Sequence, residues 1–351
     1  MKRLDAGIPS LITFLLALTK TKNLRRLFMK RIALTIFFAV GFFIASVAVS
    51  FACDFCLLSQ GISPLETQKG AGIRINQRYA LSNKVYDGAK KITVNPEAKE
   101  EYWTTEFTGF YGVTENLTLI GVVPLKKTSM DGHLHVHADG EVEVHSDMMG
   151  DASGLGDMAA LGRYSFFKKH TLDATTTVAG LVGIKFATGK TDKKMDDGMF
   201  LDAHLQPGTG STDYLLGLSL SHAMQRLSLS ANLLGSITTT GKAGDNKHRF
   251  GNSLNYDLTA KHRVHPWTGA IGPQIFLALG VNGELRDREK EEGVEEKNSG
   301  GHTAYLSPGV QIVLAPHWVF EVSYHQAVYH NLYGKQLGEN YKANGAVTYL
   351  F

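Results

Sequence analysis

The sequence predicts an all-β chain: a single antiparallel transmembrane β-barrel of about twelve strands, set behind an N-terminal export signal. Three observations carry this. Apolar and polar residues alternate with period two from about residue 69 to the end. Short and long polar connections follow one another in turn. The last strand ends on an aromatic residue, Phe351.

The 351 residues include 37 Gly and 9 Pro, a composition that suits one continuous strand array better than helical domains. A net charge of +3 is too near neutral to point to nucleic acid. After residue 52 no apolar run approaches the roughly 20 residues of a membrane helix. Barrels escape that test, because lipid-facing and lumen-facing residues alternate and average out.

Residues 1–52 read as an N-terminal extension and signal peptide, with Met29 as the expected true start. Lys20, Lys22, Arg25, Arg26, Lys30 and Arg31 precede an apolar stretch over 32–52, which ends Ser50-Phe51-Ala52 with small residues at −3 and −1 of a cleavage site. An uncleaved anchor helix is the alternative, since the stretch is long enough to span. Lipidation of Cys53 is a third, although Ser50 stands where a lipoprotein signal carries Leu. Residues 53–68 then form a periplasmic segment and 69–351 the barrel.

Individual strands show the alternation. Leu227, Leu229, Ala231 and Leu233 oppose Ser228, Ser230 and Asn232. Leu254, Tyr256, Leu258 and Ala260 oppose Asn255, Asp257, Thr259 and Lys261. Trp318, Phe320, Val322 and Tyr324 oppose Glu321, Ser323 and His325. One face meets hydrocarbon and the other an aqueous lumen, so Asn255, Asp257, Lys261, Glu321 and His325 are the expected pore-lining residues. A soluble sandwich would alternate too, but its connections have no reason to do so. Short joints are expected at 114–116, 168–170, 224–226, 265–268 and 315–317. Longer polar stretches lie at 84–99, 129–153, 189–210, 241–249, 286–301 and 332–340. That is the pattern of tight periplasmic turns and long external loops, with both termini periplasmic. Tyr102, Trp103, Tyr164, Phe166, Trp267, Trp318 and Tyr333 fall near strand ends, as an interfacial girdle would. Tyr341, Ala343, Gly345, Val347, Tyr349 and Phe351 share one face of the final strand, which resembles the signal read by the barrel-assembly machinery.

Three stretches carry a family resemblance: Gly154-Leu155-Gly156-Asp157 ahead of Gly162-Arg163-Tyr164, Phe186-Ala187-Thr188-Gly189, and His204-Leu205-Gln206-Pro207-Gly208-Thr209-Gly210-Ser211. Their arrangement resembles the outer-membrane barrel family named for a phenol-degradation meta-pathway, whose members are described as transporters. The resemblance covers about 150–351. It implies a cell-outer-membrane location and a pore or transporter-like role for a small solute, and it assigns no binding residue.

Two constellations lie outside that pattern. The first is the His-rich external loop 129–153. A three-residue Ala138-Asp139-Gly140 turn, with Gly140 in the left-handed conformation, pairs His137 with Glu141, His135 with Glu143 and His133 with His145. Four imidazoles and two carboxylates then share one face, a ligand set for Zn²⁺, Cu²⁺ or Ni²⁺. The alternative is a solvated loop that these side chains keep soluble. The second is Cys53-Asp54-Phe55-Cys56, the only cysteines. A local disulfide between Cys53 and Cys56 is the expected state in an oxidising periplasm, and a redox or docking handle for a periplasmic partner is the alternative. No catalytic constellation is present. His222 is the nearest approach to a lipid-facing Ser–His pair, and it falls near an expected periplasmic turn. The function classes that remain are an outer-membrane channel for a small solute and a non-transporting scaffold that displays the loop.

Overall fold

A computed structural model describes residues 70–95, 97–137, 139–195, 198–266, 272–314 and 317–351, with the side chains of 146–149 left aside. The export signal, Cys53, Cys56 and Trp267 lie outside the described residues.

The strands are β1 (Ala71–Asp87), β2 (Lys90–Ile92), β3 (Lys99–Gly112), β4 (Leu117–Val136), β5 (Val142–Leu155), β6 (Ala159–His170), β7 (Ala174–Lys185), β8 (Asp213–Met224), β9 (Leu227–Ile237), β10 (Gly241–Ala243), β11 (Asn246–Arg249), β12 (Ser253–His265), β13 (Gln274–Arg286), β14 (Lys290–Glu291), β15 (Val294–Glu295), β16 (Gly301–Leu314), β17 (Trp318–Leu332) and β18 (Lys335–Leu350). Twelve of them form an antiparallel circuit in the order β1, β3, β4, β6, β7, β8, β9, β12, β13, β16, β17, β18. Pairing of β18 back onto β1, from Gly72↔Leu350 to Asp87↔Lys335, closes it. Closure gives every strand two neighbours, so no row of backbone N–H and C=O groups faces hydrocarbon unpaired. Among the described residues no helix is long and apolar enough to cross a membrane.

β4 is the longest strand, and it serves two partners. Its first part, Leu117–Val122, pairs with β6, and the part from Leu125 onward pairs with β5. β5 therefore extends above the wall rather than adding a strand to it. The chain changes from β5 to β6 at Gly156, whose N–H donates to the Pro124 carbonyl (2.8 Å).

Side chains sort by parity. Leu216, Leu218 and Leu220 of β8 point outward, while Leu215, Ser219 and Ser221 are buried inside. Exposed aromatics form a belt at each end of the wall. Tyr111, Tyr164, Phe166, Trp318 and Phe351 lie at the short-turn end; Trp103, Tyr214, Phe186 and Tyr329 lie towards the loop end. Tyr102 departs from the expected girdle. It packs inward against a cluster of Met130, Ala152, Leu201 and Leu205, because its position in β3 has inward parity.

Three expected connections are corrected. Residues 332–340 are not a long loop: β17 and β18 are joined at Tyr333-Gly334, with Gly334 at φ 67°. The polar run Lys335–Asn340 is strand, polar on both faces, which removes the alternation that reveals a strand. Residues 168–170 end β6, and the turn follows at 171–173. The stretch 129–153 is mostly strand, as β4 and β5 continue into its hairpin. At the same end, β10, β11, β14 and β15 make a small second sheet above the wall.

Candidate functional site

The inner wall carries one apolar cluster within an otherwise largely polar lining. On β3, β4, β6, β8 and β9, Phe110, Ile120, Val122, Leu161, Leu215 and Leu234 form one buried apolar cluster. They alternate with exposed residues such as Leu119, Leu216 and Leu233, which fixes them on the inner face. On β12 to β18 and β1 the inner face is polar. Asp257, 4% exposed, accepts from Asn232 Nδ2 (3.2 Å) and Thr259 Oγ1 (2.8 Å). Arg74 Nη1 meets Glu321 Oε2 at 2.7 Å. His325 is held on both ring nitrogens: Ser307 Oγ lies 2.7 Å from Nδ1 and Asn344 Nδ2 lies 2.6 Å from Nε2. Asn255, Asp257, Lys261, Glu321 and His325 thus all sit on the inner wall, buried among other polar groups.

The three family-like stretches meet at the loop-end rim. Asp157 Oδ1 accepts from Gly189 N (2.9 Å), and its Oδ2 accepts from Thr209 N (2.8 Å) and Thr209 Oγ1 (2.6 Å). Lys185 Nζ bridges Asp157 Oδ2 (3.2 Å) and Asp213 Oδ2 (2.6 Å). Gly189 and Gly208 touch backbone to backbone, and a Cβ on Gly189 would lie 2.5 Å from Gly208 Cα. The motif therefore ties both roots of the 186–212 loop to the β5–β6 break. Its Asp–Lys–Asp chain is consumed by those internal contacts, so the motif acts by holding that loop in place.

The His-rich hairpin adopts the three-residue register. His133 pairs with His145 and His135 with Glu143; His137 N donates to Glu141 O (2.9 Å), and Gly140 has φ 88°. His135, His137, Glu141 and Glu143 are exposed, whereas Val144 on the opposite face is buried. His137 Nε2 lies 3.1 Å from Glu143 Oε2, and the His135 ring centroid lies 4.8 Å from that of His137 and 5.9 Å from that of His145. As placed, no three His, Cys, Asp or Glu side chains among the described residues converge to hold a metal ion. His222 sits near the short-turn end with Nδ1 2.8 Å from Thr176 Oγ1.

Sequence reasoning missed a second histidine cluster. Glu289, just past β13, directs Oε2 at His204 Nε2 and His248 Nε2, both at 3.0 Å. Its backbone N–H donates to Ser299 Oγ (3.0 Å), and Arg286 Nη1 stands 3.7 Å from Oε1. Phe250 packs edge-on against both imidazoles, at 5.6 and 4.5 Å. Burial alone would raise the Glu289 carboxyl, but the His204 charge, the two imidazole donors and Arg286 hold it well below the usual carboxylate range. Burial would lower His204, and the adjoining Glu289 carboxylate instead raises it to about 10.

Comparison with known proteins agrees with this architecture. No curated protein sequence matches the chain. Among solved structures, the COG4313 outer membrane channel from Pseudomonas putida F1 is similar over 81% of this chain and 96% of its own, with 12% identity and a TM-score of 0.59, a likeness of fold. The translocator domain of the autotransporter NalP from Neisseria meningitidis (12% identity, 81% and 89% covered, TM-score 0.39) and the P. putida toluene transporter TodX (10% identity, 86% and 94% covered, TM-score 0.36) are more distant. Residues 78–342 match the family described as "Putative MetA-pathway of phenol degradation". With three-quarters of its length inside that match, a closed twelve-strand wall and an outer-membrane channel's fold, the chain belongs to this family of outer-membrane barrels.

Proposed function

We propose that the protein is a passive channel that carries a small amphipathic organic solute across the outer membrane. An apolar cluster facing polar groups across the inner wall supports this reading. A solute with an apolar body and a polar group meets the Phe110–Leu234 cluster on one side and the Asp257–His325 network on the other. Asn255, Asp257, Lys261, Glu321 and His325 are the residues assigned to line its path. Such sites are mostly apolar with a few fixed polar groups that orient the ligand. Short turns then face the periplasm and long loops the exterior. Phe351, exposed beside Tyr349, is the end read by the assembly machinery. The test is planar-bilayer recording of the purified protein. Step-like currents that small phenols and aromatic acids partly block are expected; silence in every salt and with every such solute contradicts the channel.

The exposed imidazole face of the hairpin favours a second role, capture of Zn²⁺, Cu²⁺ or Ni²⁺ at the cell surface. His135 lies beside both His137 and His145, and His137 beside Glu143, imidazole and carboxylate donors of the kind such ions take. Calorimetric titration of wild type against a triple change of His133, His135 and His137 to Ala tests it, and equal affinities remove the role.

A further inference from the structure

The 186–212 loop leaves the wall at the end of β7 and returns at the start of β8, yet it is anchored on two other parts of the barrel. On one side Leu201 and Leu205 bury themselves against Met130 of β4 and Ala152 of β5, and Thr128 Oγ1 of β4 donates to the Leu205 carbonyl (2.6 Å). On the other side, His204 meets Glu289 just beyond β13. In the circuit, five strands separate β4 from β13 in one direction (β3, β1, β18, β17, β16) and five in the other (β6, β7, β8, β9, β12). Glu289 lies three residues past the end of β13, so the short segment 201–205, held between β4 and Glu289, stands over the mouth between the two sides of the circuit.

The crossing segment has a fixed shape of its own. Gln206, almost fully buried, donates from Nε2 to Leu201 O and Lys193 O (both 2.9 Å) and accepts from Lys193 N (3.0 Å). Asp202 accepts from His204 N (2.9 Å) and starts the one-turn 3-10 helix Ala203–Leu205 that aims the imidazole.

We infer that residues 198–212 form a lid across the loop-end mouth, that the His204–Glu289 contact is its latch, and that this latch sets how far the lumen opens to small solutes. The groups facing the latch from each packed element are Glu100 of β3, Asp202 of the lid, His248 of β11, and Arg286 of β13, itself bonded to Glu284 (3.0 Å). Glu289 is 3% exposed, whereas the His204 side chain is 41% exposed to the water of the mouth. The exposed partner is therefore the one that swings free. The gating consequence rests on the channel reading; the lid does not.

The experiment follows amide hydrogen exchange at Leu201, Leu205 and Gly208, whose N–H groups bond within the 186–212 loop, in the full chain reconstituted in lipid nanodiscs. Conductance is recorded on the same preparations. Exchange at these amides is expected to rise about tenfold, equivalent to about 1.4 kcal/mol, in His204→Ala and in Glu289→Gln, and no further in the double variant. Wall amides of β8 and β12 should stay unchanged. Lid exchange within twofold of wild type in both variants, or a double variant equal to the product of the singles, overturns the latch. Should Glu289→Gln not fold, His204→Ala alone decides, since its side chain is half in water. Higher conductance in the variants supports gating. A loosened lid with unchanged conductance overturns gating and leaves the channel standing; a loosened lid in a protein that never conducts overturns the channel and leaves the lid.

Discussion

The loop end holds two histidine clusters built in opposite ways. In the hairpin, His133, His135, His137 and His145 lie on or beside two adjacent strands within thirteen positions of one another, one face in water, their partners set by a single turn. In the latch, His204, His248 and Glu289 come from three separate segments and meet at one buried carboxylate. The hairpin's contacts are locally dictated and energetically slight, because exposed pairs between solvated side chains are worth a few tenths of a kcal/mol. The latch's contacts are dictated by the whole fold and are costly to break, because removing one partner strands a charge away from bulk water.

Substitutions separate the two regions by size of effect. Gly189→Ala drives a methyl into the Gly208 backbone at the root of the lid. It should cost about 3 kcal/mol, the upper end for overpacking against atoms that cannot yield, read as a lower unfolding temperature of the heat-modifiable barrel. Glu289→Ala leaves His204 and Arg286 facing each other without their shared carboxylate. About 2 kcal/mol is expected, below the fully buried figure because His204 is partly solvated, read by denaturant titration of the lid. Glu143→Ala in the hairpin should stay within about 0.5 kcal/mol. Equal costs at Glu289 and Glu143 would erase the distinction.

Proton titration sharpens it further. His204 is raised to about 10, so its contribution is complete below the ordinary imidazole value and is lost as pH climbs through about 10. Glu289 is depressed, so its contribution is complete above the ordinary carboxylate value and is lost only in strong acid. The lid should therefore stay closed across the neutral range and loosen first on the alkaline side, seen as increased mobility of a spin label at Met199→Cys.

Much of the wall was legible because each strand reports its own faces. Tyr256, Leu258 and Ala260 against Asn255, Asp257 and Thr259 specify inside and outside without any neighbour. The hairpin register was legible for the same reason, since Gly140 fixes the turn and the turn fixes the pairs. Lys335–Asn340 was not, because above the membrane both faces of a strand meet water and the alternation vanishes. The latch left no sequence signal at all: 41 residues separate His248 from Glu289, and the pairing of β11 with β14 in the second sheet brings them together. At Gly189 and Gly208 the family motif makes a close backbone contact between two segments, visible only once both are placed.

The account depends most on the two faces of the wall, and β12 offers the cleanest scan. Single spin labels placed from Leu254 to His262, with Cys53 and Cys56 changed to Ser, are measured in lipid for collision with oxygen and with a water-soluble nickel chelate. Oxygen access should peak at 256, 258, 260 and 262 and fall at 255, 257, 259 and 261, in strict alternation. A flat profile, or nickel access equal at every site, would contradict a cylinder that is apolar outside and polar within.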